Sequence, residues 1–173
     1  MNKDNRKIAY FSMEIALENS IKTYAGGLGV LAGDTLRSGA DLGVPMVGVT
    51  LLNDQGYFKQ KINDKGAQEV LPAHYDFSHL KKLDEVVEVT INNDPVKVGV
   101  WEYMIEGVRG YKVPVYLLDT KVAGNAPVYA SLTGQLYRGQ KNYRLMQEVI
   151  LGRAGVKILE KLGYRSLLKY HMN

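Results

Sequence analysis

Two kinds of apolar run organise the first third of this chain. Lys7 to Phe11 (KIAYF) and Val44 to Leu52 (VPMVGVTLL) are short and nearly unbroken, which predicts strands buried on both faces. Between them Leu28, Leu31, Ala32, Leu36, Ala40 and Leu42 recur at roughly helical spacing. They predict a helix from Leu28 to Leu42, ended by Gly43 and barred from continuing by Pro45. The order is strand, glycine loop, helix, strand. That is a βαβ unit whose loop follows the carboxyl end of the first strand, the edge at which open α/β sheets bind ligands.

Further along, Gln55 to Gln60 reads as a turn and a short aromatic strand, and Asn63 to Leu80, mixed and polar with Pro72, as a loop. Val86 to Ile91 and Val96 to Ile105 alternate about Asn92-Asn93-Asp94-Pro95. This predicts a hairpin whose turn is not of the tight Asn-Gly kind. Tyr111 to Leu118 predicts another strand, with Asp119 at its carboxyl end. Thr120 to Gly139 reads as irregular. Gln140 to Leu162 predicts one long amphipathic helix capped by Gly163, and Ser166 to Asn173 one more inner strand. No repeat, low-complexity tract or interdomain linker interrupts the pattern. A chain that stops on a strand leaves one face of it poorly covered, so the expectation is a fragment.

Composition narrows the class without changing the picture. The 173 residues are 46% hydrophobic and 23% charged, an ordinary globular balance. No apolar run reaches the ~20 residues that span a bilayer, and the N-terminus lacks the pattern of a secretory signal. There is no cysteine, which excludes disulfides and thiolate metal sites and points to the cytoplasm. The formal charge of +4 comes from scattered basic residues, a solvated surface rather than a nucleic-acid patch.

The chemistry lies in Tyr24 to Asp34, YAGGLGVLAGD. Gly26, Gly27 and Gly29 remove the side chains that would keep a ligand off the backbone, and they permit positive φ. The helix start that follows offers unpaired N–H groups and a positive dipole end, which suit a phosphate or sugar hydroxyls. A tight strand–helix turn would use the same glycines.

Several stretches in register resemble the N-terminal part of the α-glucan (glycogen, starch and maltodextrin) phosphorylases. They are IAYFSMEIAL, YAGGLGVLAGDTLRSGADLGVPMVGVTLL, QGYFKQKI, VPVYLLDT, LYRGQKNYRLMQEVILGRAGVKILEKLG and YHMN. The match is least distinctive between Asn63 and Val98, and the short gap between SMEI and AGGLG resembles the compact bacterial and archaeal branch. The resemblance implies an α/β fold: the Rossmann-like N-terminal domain of a two-domain glycosyltransferase of GT-B type, with 1–173 an incomplete domain and the cofactor-binding domain absent. It implies cleavage of a terminal α-1,4 bond of an α-glucan by inorganic phosphate, giving glucose 1-phosphate with retained configuration. It implies pyridoxal 5'-phosphate in the complete enzyme, bound through a lysine beyond this chain, and dimerisation, which is common in the family.

By the same resemblance the backbone N–H of Gly27 contacts phosphate and that of Leu28 the glucosyl unit, within the loop of Gly26 and Gly29. Glu14 of SMEI matches a carboxylate near the glucan cleft, and it would equally serve as a helix-capping or salt-bridged group. No catalytic residue and no metal ligand is expected within the chain, which should be inert alone. YHMN opens a motif that continues into Glu-Gly-His in the family, so His171 does not inherit the sugar-contacting role of its last histidine. Where relatives read Gly-Gly-Asp after Leu-Tyr, this chain has Arg138-Gly139-Gln140. That departure puts a sugar-binding role of the loop in doubt.

Other candidates have plainer readings. His171 reads as a strand histidine satisfied by a carbonyl, His74 and His79 as surface residues, and Asp34 as a charge complementing the helix dipole. Tyr10, Tyr24 and Tyr57 could stack on sugars but read as packing, as does Trp101. Two alternatives stand beside the phosphorylase. One is a starch- or glycogen-synthase-like transferase, although that family's loop has a lysine before the glycines where Tyr24-Ala25 stand here. The other is a non-catalytic module that binds a sugar or phosphate.

Overall fold

A computed structural model describes residues 5–21, 23–55, 59–71, 75–137, 139 and 141–172. The readings placed on Tyr57, His74, Arg138 and Gln140 lie outside the described residues.

The predicted βαβ unit forms. Strand β1 (Ile8–Phe11) leads through the loop to helix α1 (Gly27–Asp41), and β2 (Met46–Leu51) returns parallel to β1, pairing Ile8 with Met46 and Phe11 with Val49. All six residues of β2 are buried, as a central parallel strand requires. A small hairpin of β3 (Lys59–Ile62) and β4 (Gln68–Leu71) follows. It corrects the loop expected from Asn63 onward. The Asn63 side-chain oxygen accepts from the N–H groups of Lys65 and Ala67, folding the polar stretch into a turn that pairs the strands on either side.

Next come β5 (Lys81–Lys82), β6 (Val87–Ile91), β7 (Asp94–Glu106) and β8 (Lys112–Asp119). The β6–β7 turn is tighter than expected. Ile91 pairs with Asp94, so Asn92 and Asn93 alone make it, at φ 52° and 67°. Asparagine tolerates that left-handed region, which lets Pro95 enter the strand opposite Thr90. The segment expected to be irregular contains a short helix, α2 (Pro127–Ala130), with proline in its first turn.

The long helix forms with a change of pitch. It runs as α3 (Lys141–Val149), a π-helical turn (Ile150–Ala154) and α4 (Gly155–Lys161). Ile150, Leu151, Ala154, Ile158 and Leu159 stay buried across the change. Gly155 is required here: a Cβ would lie 2.6 Å from the Phe11 ring. Gly163, at φ 89°, closes the helix as expected.

The strands form a sheet in the order β5-β7-β8-β2-β1-β9, with β6 also paired to β7. From β8 to β9 the neighbours are parallel; β7 is antiparallel to β8. One face packs Leu36, Ala40 and Ala32 of α1 against Tyr10, Met46, Val115 and Leu117. The other packs Ile150, Ala154 and Ile158 against Phe11, Val49, Tyr116 and Leu118. Strand β9 (Lys169–Met172) corrects the expected inner strand: it pairs with β1 at the sheet's edge, and all four residues are exposed.

Candidate functional site at the carboxyl edge

The site begins where β1 ends. Ser12 Oγ donates to the carbonyl of Glu14 at 2.7 Å, bending the chain sharply off the strand. The segment is then tied to the returning loop: Thr23 Oγ1 donates to the Ile15 carbonyl at 2.8 Å, and the Ala16 N–H to the Gly29 carbonyl at 2.9 Å. These bonds deliver the Glu14 carboxylate, 3% exposed, beneath the glycine loop.

Both carboxylate oxygens are engaged. Oε2 accepts from the backbone N–H of Ala25 at 2.7 Å and of Gly26 at 3.3 Å, and Oε1 from the Tyr137 hydroxyl at 2.8 Å. Among the described residues Glu14 enters no ion pair. Its buried oxygens are instead satisfied by three hydrogen-bond donors. Burial, and then the bond to Glu14, push the Tyr137 phenol up to about 12, so it remains a donor throughout the neutral range.

The glycines divide by role. None of Gly26, Gly27 and Gly29 adopts positive φ, so the freedom expected of them is not what the loop uses; Gly26 is extended at φ −157°. Gly29 is buried, and a Cβ there would sit 2.4 Å from Tyr24 Cβ and 3.0 Å from Glu14 Oε2. At Gly26 and Gly27 a Cβ would meet nothing within 4 Å. Helix α1 has no side-chain cap, and an α-helix leaves its first N–H groups without intrahelical acceptors. Gly27 and Leu28 thus carry first-turn N–H groups at an exposed helix end with a positive dipole.

The five residues singled out in the sequence, Glu14 and Gly26 to Gly29, come together within this one loop. Tyr137 was missed, since it lies in the stretch read as irregular. Its backbone is left-handed at φ 54°, which for a tyrosine is strained and which sequence pattern does not reveal. The Arg144 guanidinium lies 5.1 Å from its ring centre.

The carboxyl ends of β2 and β8 border a cavity of about 370 Å³ lined by Asp54, Asp119, Lys121 and Trp101 among others. Trp101, read as core, is half-buried and donates from Nε1 to Asp119 at 3.1 Å, while Lys121 pairs with Asp54. Both amide atoms of Asn53, a residue 1% exposed, lack a partner among the described residues. His171 is exposed in β9 and stacks on Tyr10 at 5.0 Å between ring centres. His79 pairs with Glu18 at 2.8 Å, and Asp34 with Arg37 at 3.6 Å. Among the described residues no group of three or more metal-ligating side chains converges, and no helix is long and apolar enough to cross a membrane.

Comparison with known proteins agrees with this architecture. No family model matches the chain. It is 38% identical over 167 residues to a glycogen phosphorylase of Aquifex aeolicus, a match covering 91% of this chain and 23% of that protein. It is 35% identical over 164 residues to a maltodextrin phosphorylase of Thermococcus litoralis, covering 90% and 19%. The chain therefore spans less than a quarter of the length of these curated relatives. The relatives it resembles over nine tenths of its own length are thus a glycogen and a maltodextrin phosphorylase. The catalytic domain of starch synthase IV from Arabidopsis thaliana, solved with ADP and acarbose, superposes with a TM-score of 0.56 at 19% identity, covering 92% of this chain and 26% of that one. That likeness shows the fold, Rossmann-like α/β of the GT-B type.

Proposed function

We propose that the chain is the N-terminal part of an α-1,4-glucan phosphorylase, which transfers a terminal glucosyl unit from glucan to inorganic phosphate and releases glucose 1-phosphate. The observation that carries this reading is the division of labour in the glycine loop. Glu14 occupies the N–H groups of Ala25 and Gly26, and the uncapped first turn that follows, at Gly27 and Leu28, is open. An anion approaching that turn meets backbone donors and the positive end of α1 with no Cβ in the way.

In this reading Gly27 binds phosphate, Leu28 the glucosyl unit through its backbone, and Gly26 and Gly29 shape the loop. Glu14 acts on the loop rather than on the sugar directly. Residues 1–173 form part of one domain, and the remaining machinery belongs to the longer protein. The open face at Gly26 and Gly27 also fits the phosphate of pyridoxal 5'-phosphate, the family's cofactor. When bound, that group supplies a phosphate able to exchange a proton with the substrate phosphate. The synthase-like alternative lacks its lysine, since Tyr24 and Ala25 stand before the glycines. A cysteine-free chain of this kind suits a cytoplasmic enzyme.

The test is a phosphorolysis assay with maltodextrin, inorganic phosphate and pyridoxal phosphate, reading glucose 1-phosphate. The 173-residue chain is expected to be silent and a version extended to the length of its relatives to be active. Turnover by the short chain alone would overturn the assignment of the catalytic machinery to the longer protein.

A further inference from the structure

Glu14 is a buried carboxyl placed against a loop whose N–H groups attract anions, and its orientation decides which loop donors remain for a ligand. A carboxylate free to rotate would put either oxygen on the loop, or swing toward the first turn and compete there with phosphate. One contact fixes it. Tyr137 donates to Oε1 at 2.8 Å, leaving Oε2 to accept from Ala25 and Gly26. Tyr137 holds this position against a backbone cost, in the left-handed region at φ 54°, and a strained residue persists only where its surroundings over-determine it. Arg144, from the first turns of α3, lies over the Tyr137 ring and forms an ion pair with Glu148 at 3.3 Å. A continuous chain of contacts thus runs from α3 through Tyr137 and Glu14 to the backbone before α1.

We propose that Tyr137 is the positioning residue of the glycine loop: acting through Glu14, it directs the carboxylate onto the N–H groups of Ala25 and Gly26 and so reserves those of Gly27 and Leu28 for phosphate. The proposal rests on the phosphorylase reading for the identity of the ligand but not for the link itself. In this role Tyr137 acts through Glu14 and not on the substrate. Its effect is on the geometry and affinity of the first turn, through a carboxylate 123 positions away from it in sequence.

The experiment measures amide exchange with solvent, and ¹H–¹⁵N shifts under titration with inorganic phosphate, on the 173-residue chain and its Tyr137→Phe variant. Phenylalanine keeps the ring and removes only the donor oxygen. Exchange at Ala25 and Gly26 is expected to speed up about tenfold, the size of a lost bond to a charged group. Amides of β2 should be unchanged, and the phosphate-induced shifts at Gly27 and Leu28 should saturate at higher phosphate. Parental exchange at Ala25 and Gly26 in the variant would overturn the proposal. If phosphate shifts no loop amide even in the parent, the phosphate reading fails, while the exchange comparison still decides the link. Should β2 also lose protection in Tyr137→Phe, Glu14→Gln reads the same link from the other side. Faster exchange confined to Ala25 and Gly26 supports it, and parental exchange there overturns it.

Discussion

The hydroxyl oxygens of Tyr116 and Tyr164 lie 2.8 Å apart, with the rings edge to face at 5.9 Å, joining the central strand β8 to the segment that leaves α4. Both residues are buried. One hydroxyl donates to the other, with Glu102 as a further partner of Tyr116, so the pair is an interaction that two single substitutions should report jointly. Tyr164→Phe is expected to cost about 1–2 kcal/mol, because it deprives a buried hydroxyl of a partner. The double variant, with Tyr116→Phe as well, should cost less than the sum of the singles. Urea denaturation of the four chains measures this directly, and strict additivity would show that the contact is energetically idle.

The same burial predicts an alkaline limit to stability. Burial pushes the Tyr116 and Tyr164 phenols up from their ordinary value near 10, and Tyr137 reaches about 12. Each is then protonated in the folded chain at a pH where the unfolded chain has lost the proton. The folded state holds more protons, so stability is full below about pH 10 and falls as pH rises above it. Phenolate absorbance followed with far-ultraviolet circular dichroism should show a fraction of the 12 tyrosines ionising only as the fold is lost. Complete ionisation with the dichroism intact would refute it.

Much of this molecule was legible in its apolar pattern. The βαβ unit, β8 and the long helix all declare themselves by period and composition, because each buries a face and burial writes a repeat into the sequence. Ser166 to Asn173 misled for the converse reason: it reads as an inner strand, yet among the described residues β9 pairs on one side only, and pattern does not reveal how many neighbours a strand has. Arg6 was equally unreadable. It is buried at the amino ends of β2 and β8, donating to the carbonyls of Met46 and Lys112, and its satisfaction depends on atoms 40 and 106 positions away. In the site, the glycines and Glu14 were visible as a local motif. Tyr137 was not, since its partner lies 123 residues off and its conformation leaves no periodic trace.

The Asn92–Asn93 turn gives a local test of the fold. Both residues are left-handed, at φ 52° and 67°, and this sets the register that pairs Ile91 with Asp94. Alanine at position 93 meets the Cβ penalty that asparagine partly escapes and glycine avoids. Asn93→Ala is expected to lose about 1 kcal/mol and Asn93→Gly to be neutral or stabilising. Thermal denaturation of the two variants ranks them, and equal stability would mean that the turn does not set the register.

The loop glycines make opposite predictions from positions two residues apart. A side chain at Gly29 has nowhere to go: its Cβ would lie 2.4 Å from Tyr24 Cβ and 3.0 Å from Glu14 Oε2, so the loop must shift. Gly29→Ala should destabilise the chain by about 1–3 kcal/mol, the usual cost of overpacking. A side chain at Gly27 meets no atom within 4 Å, so Gly27→Val should fold with a change of about 0.5 kcal/mol or less, as at other exposed positions. Yet valine there stands in the approach to the first-turn donors, and phosphate binding should be lost. Denaturation midpoints and phosphate-induced amide shifts, measured on both variants, separate the two effects. A Gly27→Val chain that is stable and still shows the parental phosphate response would remove the loop from the binding site, because its space would be open to a side chain and to the ligand at once.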